Sequence, residues 1–474
     1  MSKTLPDIST HFADWYNDVV YKAELVDLGP VRGTMVIRPY GYAIWENVKQ
    51  VLDEKIKKNG TQNAAFPLFI PMSFLQKEAS HVQGFAPELA VVTHAGGKVL
   101  DEPLVVRPTS ETIIHFMFAK WINSWRDLPM KINQWANVVR WELRTRPFLR
   151  TTEFHWQEGH TAHETAQEAD QEADTMLNEY YDTISNYLAI PAVKGYKSES
   201  EKFAGADSTR TIEAMMPDGK ALQMCTSHVI SQNFAKAFDM KFQDRNGNMA
   251  YPHLTSWGFT TRVVGAAIMV HGDQKGLIIP PKVAPMQVVI VPIFIKNANT
   301  EEIKEAVRKL KDTLAADGVR VHLDEDEQRS PGVKFYEYEL KGVPLRIEVG
   351  PRDVAAGSGM VSDRLGIKKE AVQFAQMSTY IQNRLTEIQH TLFERANERL
   401  HSMWHKGAKL AEFSKTLSDS GGFWQTGWCG KTDCEKKLKE HQATIRCLLG
   451  QKTFAECFNC AEKSNKDILV AKSY

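Results

Sequence analysis

The chain has 474 residues, which at roughly 100 to 200 residues per domain predicts about three domains and excludes a single small module. With 43% hydrophobic and 24% charged residues, its composition is that of a globular protein, neither disordered nor fibrous. Lys plus Arg and Asp plus Glu both total 58, so a polyanion must be met by a local patch, and bulk coating of nucleic acid is excluded.

The N-terminal stretch carries Asp7, Asp14 and Asp18 without a continuous apolar core, unlike a signal peptide. The longest apolar run, Val288 to Ile295, contains Pro292 and is too short to span a bilayer. A cytoplasmic protein is expected.

After the extended stretch Thr34 to Pro39, Trp45, Val48, Leu52 and Ile56 stand three and four apart, which predicts an amphipathic helix over 40–58 ending near Gly60. A second helix is predicted from Pro108-Thr109-Ser110-Glu111 through Trp121, with Thr or Ser as its cap. Val139, Trp141 and Leu143 then alternate with Arg140 and Glu142. Beyond Arg144-Thr145-Arg146-Pro147, a second run puts Phe154, Trp156, Glu158 and His160 on one face, so the block reads as strand, basic loop, strand. A helix over 164–188 follows, then two strands joined at Pro217-Asp218-Gly219-Lys220, with antiparallel character to Gly276.

Past Ile279-Pro280-Pro281 the pattern changes to strand (288–295), helix (301–316) and strand (319–323), a βαβ unit. Segments 334–341 and 344–349 repeat the alternation. Met377, Ile381, Leu385, Ile388, Leu392, Ala396 and Leu400 mark a long helix, and a glycine-rich break at 418–422 precedes a tail with five of the six cysteines. Cys429-x4-Cys434 and Cys457-x2-Cys460 have a spacing compatible with a tetrahedral structural zinc site, whereas Cys447 lies on a predicted strand and is expected to be packed.

Four arginines, Arg140, Arg144, Arg146 and Arg150, crowd the loop of the strand pair, and Arg262 opens a helix-like stretch later in the chain. Planar guanidinium groups suit phosphate oxygens, and neither a P-loop nor a dinucleotide fingerprint is evident. Taken alone, the block could equally be a solvated hairpin tip.

In these stretches the sequence resembles class II aminoacyl-tRNA synthetases, and most closely the prolyl-tRNA synthetases of the archaeal and eukaryotic type. The resemblance spans essentially the whole chain: Val31 to Pro39 (motif 1), Arg107 to Glu111, Arg140 to Glu142 with Trp156 to His160 (motif 2), Phe203-Ala204-Gly205, Thr226-Ser227-His228, Trp257 to Gly265 (motif 3), Gly342 to Glu348, and the cysteine tail. It implies an α+β multidomain protein: an antiparallel class II catalytic domain (1–283), an α/β anticodon-binding domain (284–370), a connecting helix (371–405) and a small α/β zinc-binding domain (406–474).

The implied reaction activates L-proline with ATP to prolyl-adenylate, with Mg²⁺ on the nucleotide, and transfers the prolyl group to the terminal adenosine of tRNA(Pro). Arg140 and Arg262 are the implied catalytic residues. Arg140, Glu142, Arg150, Thr151, Phe154, Gln223, Thr226 and Arg262 are the implied ATP ligands. Thr109, Glu111, Arg140, Phe85, Trp156, His160, Phe203 and His228 are implied to hold proline, and Arg346, Glu348 and Arg352 to meet anticodon bases. Cys429, Cys434, Cys457 and Cys460 are the implied zinc ligands. A homodimer through the motif 1 region is implied, and neither DNA nor a membrane is an expected partner.

About a hundred residues separate His160 from Arg262, too few for the editing insertion of the bacterial type. The chain departs from the family where Val229-Ile230-Ser231 replaces a more typical Leu-Gly ending, and where Met224-Cys225 replace small residues, which puts the pocket floor in question. In relatives of this type a terminal tyrosine, here Tyr474, reaches toward the active site. Two rival readings are a class II synthetase for another small amino acid, disfavoured by Thr109, Glu111 and Phe203, and a tRNA-binding relative without catalysis, disfavoured by Arg140, Arg150 and Arg262.

Overall fold

The apolar stripe Trp45, Val48, Leu52 and Ile56 makes Pro39–Lys58 a helix, with proline in its first turn and that stripe wholly buried. The computed structural model describes residues 4–76, 89–142, 144–295 and 299–474. Phe85 and Leu143 lie outside the described residues.

One eleven-stranded sheet organises the molecule. Its strands are β1 (Gln62–Asn63), β2 (Met130–Val139), β3 (Glu153–His163), β4 (Val193–Tyr196), β5 (Ser208–Met215), β6 (Ala221–Ser231), β7 (His253–Thr260), β8 (Trp404–Lys406), β9 (Phe423–Trp428), β10 (Thr444–Leu448) and β11 (Lys466–Ala471). Their order is β8-β9-β11-β10-β4-β5-β6-β7-β3-β2-β1. From β4 to β2 every pairing is antiparallel, as the alternating pattern predicts.

The helix Ala166–Asp182 covers one face of this sheet. Thr165 and Glu168 form its capping box, and Ala169, Ala173, Met176, Leu177 and Tyr180 are its buried apolar and aromatic residues. Tyr180 Oη donates to Gln157 at 2.6 Å and Ser227 Oγ donates to the Ala173 carbonyl at 2.8 Å, so the side chains alternating with Gln157 and Ser227 face the other way. Gly159 permits the closest approach in this layer, since a Cβ there would lie 2.0 Å from the Trp257 ring.

Two local expectations need correction. The first strand of the basic block runs over Met130–Val139 and stops before Trp141, which is exposed. Residues 140–152 form the loop, closed by Arg140 N donating to the Thr152 carbonyl at 2.8 Å. Crowded arginines and Pro147, which offers no N–H, leave no ladder to extend there. The helix expected from Pro108 begins at Glu111, and Ser110 at its N-cap makes no side-chain cap bond; its hydroxyl donates to Glu158 at 2.6 Å.

A second sheet has the order Val321–Leu323, Val288–Pro292, Leu345–Val349, Ser358–Asp363, Lys369–Gln373. Its first three strands are parallel, as the βαβ reading predicts, and the last two add antiparallel. The long helix Phe374–Ser402 buries Met377, Ile381, Leu385, Ile388, Leu392, Ala396 and Leu400. Among the described residues no helix is long and apolar enough to cross a membrane.

Candidate active site

On the sheet face turned away from the helix Ala166–Asp182 lies a cavity of about 290 Å³. From β3 it receives Phe154, Trp156, Glu158 and His160, every second residue, as the alternation predicts. From β6 it receives Gln223, Thr226 and His228. Gln223 and Thr226 have opposite parity in sequence, but the ladder shifts register after Ile212, pairing Thr211 with Thr226 and Glu213 with Gln223, so both end on one face. The loop 140–152 adds Arg140, Glu142, Arg150 and Thr151. The turn before Glu111–Trp121 adds Thr109, with Glu111 beside it, and Arg262 enters from the first turn of the helix Arg262–His271.

The cavity therefore gathers all eight residues predicted for ATP and seven of the eight predicted for proline. The eighth, Phe85, falls outside the described residues.

The two ends of the cavity differ in charge. At the cationic end Arg150 Nε lies 2.7 Å from Glu142, and the Arg140 guanidinium sits 5.5 Å from the Phe154 ring and 5.6 Å from Trp156. Arg140 Nε donates to the Pro108 carbonyl at 3.0 Å. Arg262 donates to the carbonyls of Leu149 (3.2 Å) and Gln223 (3.1 Å), and burial, aided by the charge of Arg140, brings its pKa down to about 10.

At the acidic end Thr109 Oγ1 donates to Glu111 at 2.5 Å. Glu158 is buried and accepts from Ser110 N (3.2 Å), Ser110 Oγ (2.6 Å) and Gln134 Nε2 (2.5 Å), and it lies 3.1 Å from His160 Nε2. Burial disfavours charge on His160, but the hydrogen bond with Glu158 and the charges of Glu111 and Glu158 outweigh it and raise its pKa. His228 is bracketed by Thr209 (2.9 Å) and Thr226 (3.0 Å) and stacks on Phe203 with ring centroids 4.6 Å apart.

Burial brings His228 down to about 4, and does the same for His163 (about 3) and His271 (about 4). Below the ordinary histidine value of 6.5 the unfolded chain binds protons that the folded chain refuses. Stability present above that value is then lost as the pH falls toward 4, by up to about 1.4 kcal/mol per pH unit for each such histidine. His271 pairs with the Leu188 carbonyl at 2.8 Å, which glutamine can also do. Urea midpoints at pH 7 and pH 5 are expected to differ less in His271→Gln than in the parent; an equal difference would remove His271 from this balance.

In the tail, the four Sγ atoms of Cys429, Cys434, Cys457 and Cys460 lie within 4.8 Å of one another, with Cys434 and Cys460 each 3.7 Å from Cys429. A tetrahedral zinc with bonds of about 2.3 Å sets its sulfurs about 3.8 Å apart, so the donor set fits that ion. Cys447 is buried on β10 away from this group. Arg346 and Glu348 share one face of Leu345–Val349 and pair at 2.9 Å, Arg346 lies 4.0 Å from the Phe335 ring, and Arg352 is exposed on Pro351–Ala355. Tyr474 docks beside the arginine loop: its hydroxyl donates to Asp218 at 2.7 Å and Arg146 lies 5.4 Å from its ring.

Three family profiles match the chain: "tRNA synthetase class II core domain (G, H, P, S and T)" over residues 97–271, "Anticodon binding domain" over 287–384, and "Prolyl-tRNA synthetase, C-terminal" over 410–474. Proline--tRNA ligase 2 of Clostridioides difficile (strain 630) is 49% identical over 470 residues, covering 98% of this chain and 96% of the relative. The chain belongs to the prolyl-tRNA synthetases.

The chloroplastic/mitochondrial proline--tRNA ligase of Arabidopsis thaliana is 50% identical over 479 residues, covering 98% of this chain and 87% of that protein. The crystal structure of prolyl-tRNA synthetase from Cryptosporidium parvum complexed with halofuginone and AMPPNP superimposes with a TM-score of 0.94 at 43% identity, covering 99% of each chain. The same enzyme complexed with L-proline and AMP gives 0.93 at 42% identity, again over 99% of each. High similarity thus extends to bacterial, organellar and protozoan prolyl-tRNA synthetases.

Measured against the family pattern, the departure at Val229-Ile230-Ser231 lies away from the cavity. Ile230 is buried in a separate apolar cluster, and Ser231 adopts φ 54°, a left-handed conformation in which glycine is the easier residue. Met224 and Cys225 do line the cavity, so that departure bears on its floor. Sequence reasoning missed Ser110, Gln134 and Thr209. The hydroxyl next to Glu111 was a signal for Ser110, whereas nothing in the sequence marks Gln134 as the partner of Glu158.

Proposed function

We propose that this chain is a proline--tRNA ligase whose cavity performs both halves of the reaction. The observation that carries the reading is the joining of a three-arginine end to a Thr109/Glu111 end within one cavity. Arg140, between the two, holds the α-phosphate and the proline carboxylate. Phe154 stacks on adenine, Glu142 accepts from its amino group, and Thr151, Gln223 and Thr226 complete the nucleotide site. Arg150, released from Glu142, and Arg262 take the γ-phosphate.

A proline carboxylate oxygen then attacks the α-phosphorus in line. The new O–P bond replaces the bond to pyrophosphate, and arginines stabilise the charge that develops, so no side-chain nucleophile is needed. In the second half a hydroxyl of the terminal adenosine of tRNA(Pro) attacks the prolyl carbonyl and AMP leaves. Mg²⁺ supplies further charge neutralisation when bound on the triphosphate.

Glu111, with Thr109, meets the cationic secondary amine of proline, and Phe85, Trp156, His160, Phe203 and His228 shape the ring pocket. Charge-assisted hydrogen bonds contribute about 1.5–3 kcal/mol, so Glu111→Gln is expected to raise KM for proline about 10- to 100-fold and leave KM for ATP within about twofold. Equal rises in both would remove Glu111 from the proline pocket.

The wider reading places the catalytic domain at 1–283, the anticodon-binding domain at 284–370 with Arg346, Glu348 and Arg352 at the bases, a connecting helix at 371–405, and a zinc-binding domain at 406–474 with Cys429, Cys434, Cys457 and Cys460 as ligands. The short interval from His160 to Arg262 supports the archaeal/eukaryotic type without an editing insertion, working in the cytoplasm. Selectivity against similar small side chains then rests on the synthetic pocket, which discriminates only modestly, or on a separate protein. Exposed Leu28, Val31 and Val36 support a homodimer through this region.

The test is ATP–pyrophosphate exchange across all twenty amino acids without tRNA. Stimulation mainly by proline is expected. Stimulation by another amino acid would overturn the specificity, and none by folded protein would overturn the catalytic reading.

A further inference from the structure

Beneath the cationic end of the cavity lies a buried charge cluster that the reaction above does not use. Glu213, on β5, is fully buried and saturated with donors: Lys197 Nζ at 2.6 Å, Thr211 Oγ1 at 2.9 Å, and Arg446 Nε and Nη2 at 3.1 and 3.0 Å. Lys197 is itself a cavity residue. Its ammonium also donates to the Arg446 carbonyl at 3.0 Å, so both the side chain and the backbone of Arg446 serve this cluster.

Arg446 comes from the cysteine-bearing tail. It sits on β10 where the β10–β11 ladder shifts register between Ile445 and Cys447, and its guanidinium reaches β5. Buried carboxylates demand compensation: burial opposes the charge of Glu213, but Lys197 and Arg446 offset it and hold its pKa below the usual carboxylate range. Glu213 pairs across the β5–β6 ladder with Gln223, whose carbonyl accepts from Arg262 Nη1 at 3.1 Å, so Arg262 is held close by and feels the charges of both Glu213 and Arg446.

We infer that Arg446 is a positioning residue for the nucleotide site: by occupying Glu213 it keeps that carboxylate from capturing Arg262 and keeps Lys197 in place at the cavity wall. With Lys197 and Arg446 against Glu213, the cluster carries one net positive charge under a site for a triphosphate. Without Arg446 the net charge falls to zero, and the Glu213 oxygen that accepts both arginine bonds loses its partner, leaving the carboxylate to draw on the neighbouring Arg262. The tail thereby acts on ATP affinity without touching ATP. This inference rests on the nucleotide reading of the cavity.

The experiment uses the full chain and its Arg446→Met, Arg446→Lys and Glu213→Gln/Arg446→Met variants. ATP affinity is read by calorimetry, and KM and kcat by proline-dependent exchange. Arg446→Met is expected to weaken ATP binding about tenfold with KM for proline within twofold, and Arg446→Lys to recover most of the loss. The double variant, lacking the carboxylate that would capture Arg262, is expected to bind ATP more tightly than Arg446→Met. Unchanged ATP affinity in Arg446→Met, a parallel loss for ATP and proline, or a double variant no better than the single one would each overturn the inference. Because binding is measured without chemistry, an ATP-binding parent that fails in exchange defeats the proline reading while still testing Arg446.

Discussion

Arg140→Ala is expected to lower proline-dependent ATP–pyrophosphate exchange by about 100- to 1,000-fold, the loss typical when one preorganised donor to a developing oxyanion is removed. Arg140 is half-exposed, donates to the Pro108 carbonyl, and lies over Phe154 and Trp156 at the junction of the two ends of the cavity. Its loss touches both substrates, so kcat should fall with kcat/KM for each. The thermal transition should stay within about 2 °C, since the side chain is not part of an apolar core. A variant with unchanged exchange would mean that the α-phosphate has another ligand.

Cys457→Ser is expected to have the largest effect on stability. The tail's apolar cluster is small, built around Phe413, Leu417, Trp428, Phe458, Ile468 and Val470, and a domain of that size needs a staple. Removing one thiolate from a Cys₄ zinc site should abolish stoichiometric zinc by elemental analysis and split off a lower thermal transition for the tail. It should also weaken ATP binding, because Arg446 reaches Glu213 only while β10 is in place. Full zinc content with an unaltered transition would rule out the four cysteines as a metal centre.

Much of the site could be read from the sequence because β-strand alternation is strict where one face lines a cavity. Phe154, Trp156, Glu158 and His160 were separable from Gln157 and Gly159 by parity alone. Parity failed at Gln223 and Thr226, where a register shift changes the count, and there only the resemblance to a family brought both residues to the nucleotide. It failed again at 139–143, where alternation continued past the end of the ladder because loop arginines and apolar residues happened to alternate.

The βαβ unit was legible from its change of period, but the antiparallel pair Ser358–Asp363 and Lys369–Gln373 was not, being short, polar and rich in small residues. The Glu213, Lys197 and Arg446 cluster had no local signature at all. Arg446 lies 233 residues beyond Glu213, and each member alone looks like an ordinary surface charge.

The join between β4 and β10 has a consequence for the order in which the protein is built. It pairs Tyr196 with Leu448, about 250 residues apart, whereas β2 with β3 and β5 with β6 are joined by short connections. Local pairings close early and distant ones late, because loop closure opposes the latter. On the ribosome, the strands of the cavity emerge and can pair long before residue 446 leaves the exit tunnel. A nascent chain at that stage holds the substrate-facing residues but leaves Glu213 without Arg446. Tight nucleotide binding would therefore come only with the last part of synthesis, after the tail has folded onto the sheet.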